Sequence, residues 1–415
     1  MRDLVGSDDA PGFWLDDPLH RAFLARDAGR QLDVFARSLR ATGGFHVLGL
    51  KGEPLADTVQ ELHTTTRMVH SFALGHLAGH PGCEALVDQG MRYLASHHHD
   101  HDHGGYSWAM DGDKIADGRK LAYGHVFVLL AGSSAKAVGH PDADRLIDDA
   151  TAVLDRHFWE EGPGLFCDEF NRDFTPFSTY RGMNANMHGV EALLAAFEAT
   201  GRAGYLERAG RILDFFLRRM AVAHGFRVPE HYGADWSVDR GYAGDPMFRP
   251  AGTTPGHSFE WARLLLQYWD LAGRVEDGSV ALARAITERA LADGWDAARG
   301  GIFYTLGWDG LPDVKARYWW PVTEALGVLA ALIKLERRES DEVWYRRIWR
   351  FAAAHFVDPA GGWYPELGDT GQPSAAQFKG KPDIYHALQA ELFPLAAGLS
   401  RAGADLQSVR VLAKA

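Results

Sequence analysis

The chain has 415 residues, 46% of them hydrophobic and 24% charged, which is globular composition with ample material for a buried core. Its formal net charge of −12 speaks against a nucleic-acid partner or an anionic membrane surface, and no apolar run approaches the roughly 20 residues that span a bilayer. Two cysteines make no disulfide framework and the start, MRDLVGSDDAPGFWLDD, has no apolar signal core, so a cytoplasmic protein is expected.

A glycine–aromatic element recurs along the chain: GGF at Gly43, GGY at Gly104, GLF at Gly164, GF at Gly225, GGIFY at Gly300 and GGWY at Gly361. Most spacings are roughly 60 residues, a period that signals a structural repeat. After each copy comes an apolar-periodic segment. In chain order these are HTTTRMVHSFALGHLAG from His63, LAYGHVFVLLAGSSAKAVG from Leu121, NANMHGVEALLAAFEATG from Asn184, HSFEWARLLLQYWDLAG from His257, YWWPVTEALGVLAALIKL from Tyr318 and IYHALQAELFPLAAGLS from Ile384. Their first turns are polar and aromatic and their later turns mostly Ala and Leu, which predicts buried helices. Between them lie amphipathic segments such as ADRLIDDATAVLDRHFWE, YLERAGRILDFFLRRMA and EVWYRRIWRFAAAHF, read as outer helices. Six outer/inner hairpins predict an all-α (α/α)6 toroid forming one catalytic domain over residues 1–415. Every inner helix then starts at the same end of the ring.

The run SHHHDHDHGGYSW, Ser96–Trp108, holds five histidines and looks metal-binding. Asp100 precedes Gly104 by four positions as Asp296 precedes Gly300, and Asp358 precedes Gly361 by three. The run is therefore read as a structural Asp–Gly–Gly turn that the extra histidines decorate. It lacks the helical spacing of a motif such as HExxH, so no metal is expected there.

The inner-helix starts would line a common pocket. They supply His63 and Arg67, Tyr123 and His125, Asn184 and His188, His257 and Glu260, Trp319, Trp320 and Glu324, then Tyr385 and His386. Several histidines, an arginine and two carboxylates at one level suit proton transfer on a polar, uncharged substrate. Imidazole titrates near neutrality and both takes and gives protons there. Arg67 suits an enolate oxyanion. No GxGxxG, P-loop or G-x-S-x-G elbow is present.

The segments TTTRMVHS, NANMHGVEALL, PGHSFEWARLL, WWPVTEAL and KPDIYHALQAELF, in this order, resemble the N-acylglucosamine 2-epimerase family over nearly the whole chain. The resemblance implies an (α/α)6 barrel and a metal-independent sugar isomerase or 2-epimerase without a cofactor. It implies His257 and His386 as the acid/base pair. Arg67, Asn184, His188, Glu260, Trp320 and Glu324 fall in substrate binding or support. Within the family the segments are most like mannose isomerases, so interconversion of D-mannose and D-fructose through a cis-enediolate is expected, with D-lyxose and D-xylulose as related substrates. The alternatives are a cellobiose- or N-acylglucosamine-type 2-epimerase and a sulfoquinovose isomerase. The loop from His224 to Pro255 leaves open whether Arg240 or Arg249 reaches the ligand. Outside the family, an inverting glycoside hydrolase would use Glu260 and Glu324, and a protein-binding role would want a leucine heptad, which is missing. A monosaccharide is the expected partner, bound by a monomer or homodimer.

Overall fold

Helices dominate the computed structural model, which describes residues 5–6, 12–57, 59–245 and 248–413. The inner helices are α2 (Leu62–Leu77), α4 (Ala122–Ala137), α6 (Met183–Thr200), α8 (Pro255–Leu271), α10 (Trp319–Leu335) and α12 (Tyr385–Leu395). The outer helices are α1 (Pro18–Phe35), α3 (Cys83–Tyr93), α5 (Ala143–Val153), α7 (Ala203–Leu213), α9 (Ser279–Gly294) and α11 (Glu339–His355). Each inner helix packs on the next, and α12 returns to α2, closing the ring. Each outer helix seats on the inner helix before it in the chain, and α1 covers α12. A short α13 (Ala402–Val409) packs against α2 and α12. The expected (α/α)6 barrel is thus the observed one, and every expected inner helix starts within two residues of its place. Among the described residues no helix is long and apolar enough to cross a membrane.

Composition explains the two rings. In α4 every residue from Val126 to Ala135 is buried, with small residues where neighbours come close. A Cβ on Gly132 would lie 3.1 Å from Ile147 Cγ1 of α5. In α5, by contrast, Leu146, Ile147 and Ala150 face inward and the acidic residues outward. Three outer helices run on into π-helical turns, Leu94–His98, Leu154–Phe158 and Asp214–Ala221, which hydropathy periodicity does not reveal.

The glycine–aromatic loops are built alike. Asp100 Oδ1 accepts from the amides of Asp102 and His103, Asp296 Oδ1 from Ala298 and Arg299, and Asp358 Oδ1 from Ala360. The amide that follows returns to the Asp carbonyl in each, from Gly104, Gly300 and Gly361. A lysine just ahead of the inner helix pins two of these turns: Lys120 Nζ donates to Asp100 (2.9 Å) and Lys381 Nζ to Asp358 (2.5 Å). The histidine run is therefore a structural turn, but one member is no decoration. His98 is fully buried; its Nδ1–H donates to Ser107 O (3.1 Å) and its Nε2 faces Thr65 Oγ1 (3.2 Å).

Short antiparallel pairs tie each repeat to the next at the inner-helix starts: Lys120–Leu121 with Glu169–Phe170, Arg181–Gly182 with His231–Tyr232, and Arg317–Tyr318 with Glu366–Leu367. At the ring closure Trp363 Nε1–H donates to both Asp27 of α1 (3.1 Å) and Glu391 of α12 (3.2 Å). Burial, and then the neighbouring Asp27, push the Glu391 carboxyl well above its ordinary range.

Asp100 has no exposed side-chain surface and is held by two cations, Lys120 (2.9 Å) and Arg172 (2.8 Å), so Lys120→Met should leave it paired with Arg172 alone. The expected loss is about 1.5–3 kcal/mol of unfolding free energy in a denaturant titration, the range for one hydrogen bond to a charged group. The partly exposed pair His99→Ala/His101→Ala should cost less than about 1 kcal/mol.

Candidate active site

Both candidate acid/base histidines have their tautomer set by a buried carboxylate. His386, in the first turn of α12, donates Nδ1–H to Glu324 Oε1 of α10 at 2.8 Å. His257, in the first turn of α8, has Nδ1 3.0 Å from both oxygens of Glu230. A carboxylate only accepts, so each Nδ1 carries the hydrogen and each Nε2 is left with the lone pair. The indole of Trp320 joins the two, its ring 4.9 Å from His257 and 6.0 Å from His386, tilted by 31° and 35°. Burial lowers the His386 pKa below the ordinary imidazole value, against the upward pull of Glu324, which favours a neutral resting base.

Glu230 was not among the residues the sequence suggested. The pairing of Arg181–Gly182 with His231–Tyr232 sets it at the start of α8, and the Met183 amide donates to its carbonyl (3.0 Å). Its Oε1 also accepts from the Thr254 amide at 3.1 Å, which orients the carboxylate toward His257.

Arg67 of α2 lies between the rings of Phe127 and Tyr385, 4.7 Å from each. It donates to the Tyr123 hydroxyl (2.8 Å) and to Asp383 Oδ2 (3.3 Å). Asp383 also accepts from the Tyr385 amide (3.0 Å), so one carboxylate fixes the Arg67 side chain and the start of α12. The Arg67 Nε is buried with no hydrogen-bond partner, a spare donor in the cationic group.

Between the arginine and the histidine pair sits a buried carboxyl layer. His188 of α6 has Nδ1 3.5 Å from Glu191 and 3.5 Å from Glu260, and burial lowers its pKa to about 4. Arg263 of α8 approaches Glu324 at 3.1 Å and Glu260 at 3.7 Å. Burial pushes the Glu324 carboxyl up, but Arg263 and the His386 bond outweigh it and hold the pKa below the ordinary value. Burial and the nearby Glu324 push Glu260 well above the carboxylate range, and neither of its oxygens has a hydrogen-bond partner. Glu260 is therefore the member of the layer in which burial most favours the neutral carboxyl. Two triads, His188–Glu191–Glu260 and Glu260–Glu324–His386, have donor atoms close enough to hold a metal, but Arg263 already supplies a cation against Glu260 and Glu324.

Above this layer opens a cavity of about 660 Å³ whose wall includes His63, Trp108, Tyr123, Asn184, Tyr180 and His257. Such a volume suits a small-molecule ligand. The Asn184 Oδ1 has no hydrogen-bond partner, and His63 stacks on Trp108 at 5.2 Å. Arg249 reaches the cavity wall, stacked 4.0 Å over Tyr180 and paired with Glu169 (2.8 Å), whereas Arg240 lies over Trp308. His125 does not face the pocket. It is fully buried, its Nδ1–H on Leu121 O (2.7 Å) and its Nε2 accepting from the Tyr106 amide (3.0 Å), so it anchors a glycine–aromatic loop. Asn186 plays the equivalent part in the next repeat, accepting from the Phe166 amide at 2.8 Å.

Fold and site together define a helical-barrel enzyme equipped for proton transfer by a histidine pair beside a buried arginine. The family model of N-acylglucosamine 2-epimerase matches residues 43–390. The chain belongs to the N-acylglucosamine 2-epimerase family. It is 42% identical over 391 residues to the D-mannose isomerase of Thermobifida fusca, covering 92% of this chain and 96% of the relative. It is 39% identical over 406 residues to that of Pseudomonas cannabina pv. alisalensis, covering 95% and 97%. A crystal structure of a D-mannose isomerase superposes with a TM-score of 0.86 at 30% identity, covering 93% of this chain and 99% of the other.

His257→Ala and His386→Ala should each lower kcat by about 10²–10⁴-fold in a steady-state assay while leaving the circular dichroism spectrum unchanged. Glu230→Gln should lower kcat by about 10²-fold, because the amide no longer dictates which His257 nitrogen carries the proton. Since the His386 base must be unprotonated, kcat/KM should fall as pH drops through a value below the ordinary histidine pKa of about 6.5, and hold above it.

Proposed function

We propose that the chain, as a single catalytic domain over residues 1–415, interconverts free D-mannose and D-fructose. The observation that carries this reading is the pair His257 and His386, each with Nδ1 on a carboxylate and both along one indole edge. After ring opening, His386 Nε2 removes the proton on carbon 2. The electrons move onto the carbonyl oxygen and give a cis-enediolate. Arg67 stabilises that oxyanion, and its fixed pairing with Asp383 and Tyr123 means it need not reorganise as charge develops. Transfer of the carbon-2 hydroxyl proton to the carbon-1 oxygen, with return of the abstracted proton to carbon 1, yields the ketose. His257 serves ring opening or proton return, Asn184 and His188 bind hydroxyls, Trp320 packs on the sugar, Glu230 and Glu324 hold the two imidazoles, and Glu260 supports the site beside His188. The identity to D-mannose isomerases over more than nine-tenths of the chain supports mannose as the aldose.

The same pair acting on opposite faces of carbon 2 would make a 2-epimerase, so the product decides. An inverting glycosidase is disfavoured by the carboxyls themselves. Oxygens of Glu260 and Glu324 lie within 4.8 Å of each other, whereas that chemistry places its two carboxyl groups about 6.5–9.5 Å apart.

Incubation with D-mannose in heavy water, followed by NMR, should show fructose first, with deuterium entering at the exchanging carbon. Glucose should lag far behind, since it needs protonation from the other face. A mixture dominated early by the 2-epimer would replace the isomerase reading with the epimerase one.

A further inference from the structure

A second cavity, of about 470 Å³, lies at the opposite end of the barrel from the mouth. The later turns of α2, α4, α6 and α8 wall it, and Ala402–Ala404 of α13 cap it. We propose that it is a second small-molecule site, for a neutral polyhydroxy ligand of hexose size, and that its occupant acts on the catalytic layer from below.

The volume lies in the range that holds small ligands. The deep end is built of polar groups more than nine-tenths buried: His70, Ser134, Glu191 and Arg263. Leu194 and Phe393 add apolar surface. Polyols present this alternation, with hydroxyls for the donors and acceptors and C–H faces for the apolar strips. Charge sets the ligand class. Burial of His70 lowers its pKa to about 4, so it is neutral at pH 7, and the charged lining is mixed, with Glu191 at the deep end and Glu198 set against Arg263, Lys136 and Arg401. A cation entering would meet Arg263 and an anion would meet Glu191. A neutral ligand meets neither penalty.

The same groups are the underside of the active site. Glu191 accepts from the Tyr385 hydroxyl, from Gln389 (3.3 Å) and, across 3.5 Å, from His188. Arg263 donates to Glu324 (3.2 Å), which holds His386. His70 spans Ser134 (2.7 Å) and Gln389 (3.2 Å), one step from the same carboxylate. A hydroxyl that takes a share of Glu191 or Arg263 weakens their hold on His188 and Glu324, so turnover changes without any group entering the upper pocket. The effect on turnover rests on the acid–base reading above; the binding does not.

D-Mannitol, which has no carbonyl to react, is the probe. Titration calorimetry of the full chain should give two sites per chain. Ala195→Trp and Ala199→Trp, which place an indole in the lower cavity from partly exposed positions, should each give one. In turnover of mannose, saturating mannitol should lower kcat of the native chain by about 5-fold, the low end of site–site coupling, as well as raising KM. In both variants it should raise KM alone. One site in the native chain with purely competitive inhibition would overturn the proposal, as would two sites that survive both substitutions. Two sites in a chain that turns over no aldose would leave this site standing and remove the functional reading instead.

Discussion

Burying the Glu324 carboxylate with no cation beside it would cost several kcal/mol, and Arg263, itself largely buried, supplies that cation. Much of the site follows from this contact. With Glu324 ionised, His386 has an acceptor for Nδ1–H and is left with its lone pair on Nε2. Burial, and then the Glu324 charge beside it, push the Glu260 carboxyl well above its ordinary range. The two carboxyls are neighbours of the same arginine and are shifted in opposite directions because their partners differ. The apolar ring of inner helices is what makes the contact strong, since it excludes the water that would otherwise screen it.

The repeat made the architecture legible. Six glycine–aromatic signals and six polar-started apolar segments are enough to count hairpins, and an even count of alternating outer and inner helices closes into a ring. The residues that the resemblance selected do converge: Arg67, His188, Glu260, Trp320, Glu324, His257 and His386 occupy one layer or its rim. His125 was misplaced for a geometric reason. It stands two residues from Tyr123, and positions two apart on a helix point to different faces. Tyr123 took the pocket, so His125 took the loop.

What the sequence hid is mostly held by distant partners. Glu230 stands just before a two-residue strand, His231–Tyr232, with no helical period to mark it, and its histidine is 27 positions on. Asp383 reaches Arg67 across 316 positions. Glu191 and Arg263 were within reach, each three residues beyond a suspected group on the same helix face, but both lie below the pocket level and read as helix interior. The π-helical turns are invisible for another reason: they change the hydrogen-bond register without changing the hydropathy pattern.

The seam between α1 and α12, tied by Trp363 to Asp27 and Glu391, has a consequence for biosynthesis. The ten ring helices α2 to α11 are made between α1 and its partner α12, so α1 waits through their synthesis with an apolar face uncovered. Contacts so far apart in sequence form late and slowly, and a waiting face is a binding surface for chaperones. His386 lies on the strand-side turn of that same final inner helix. Interrupted synthesis therefore releases fragments that have neither a closed ring nor a complete histidine pair, and catalytic competence arrives together with closure.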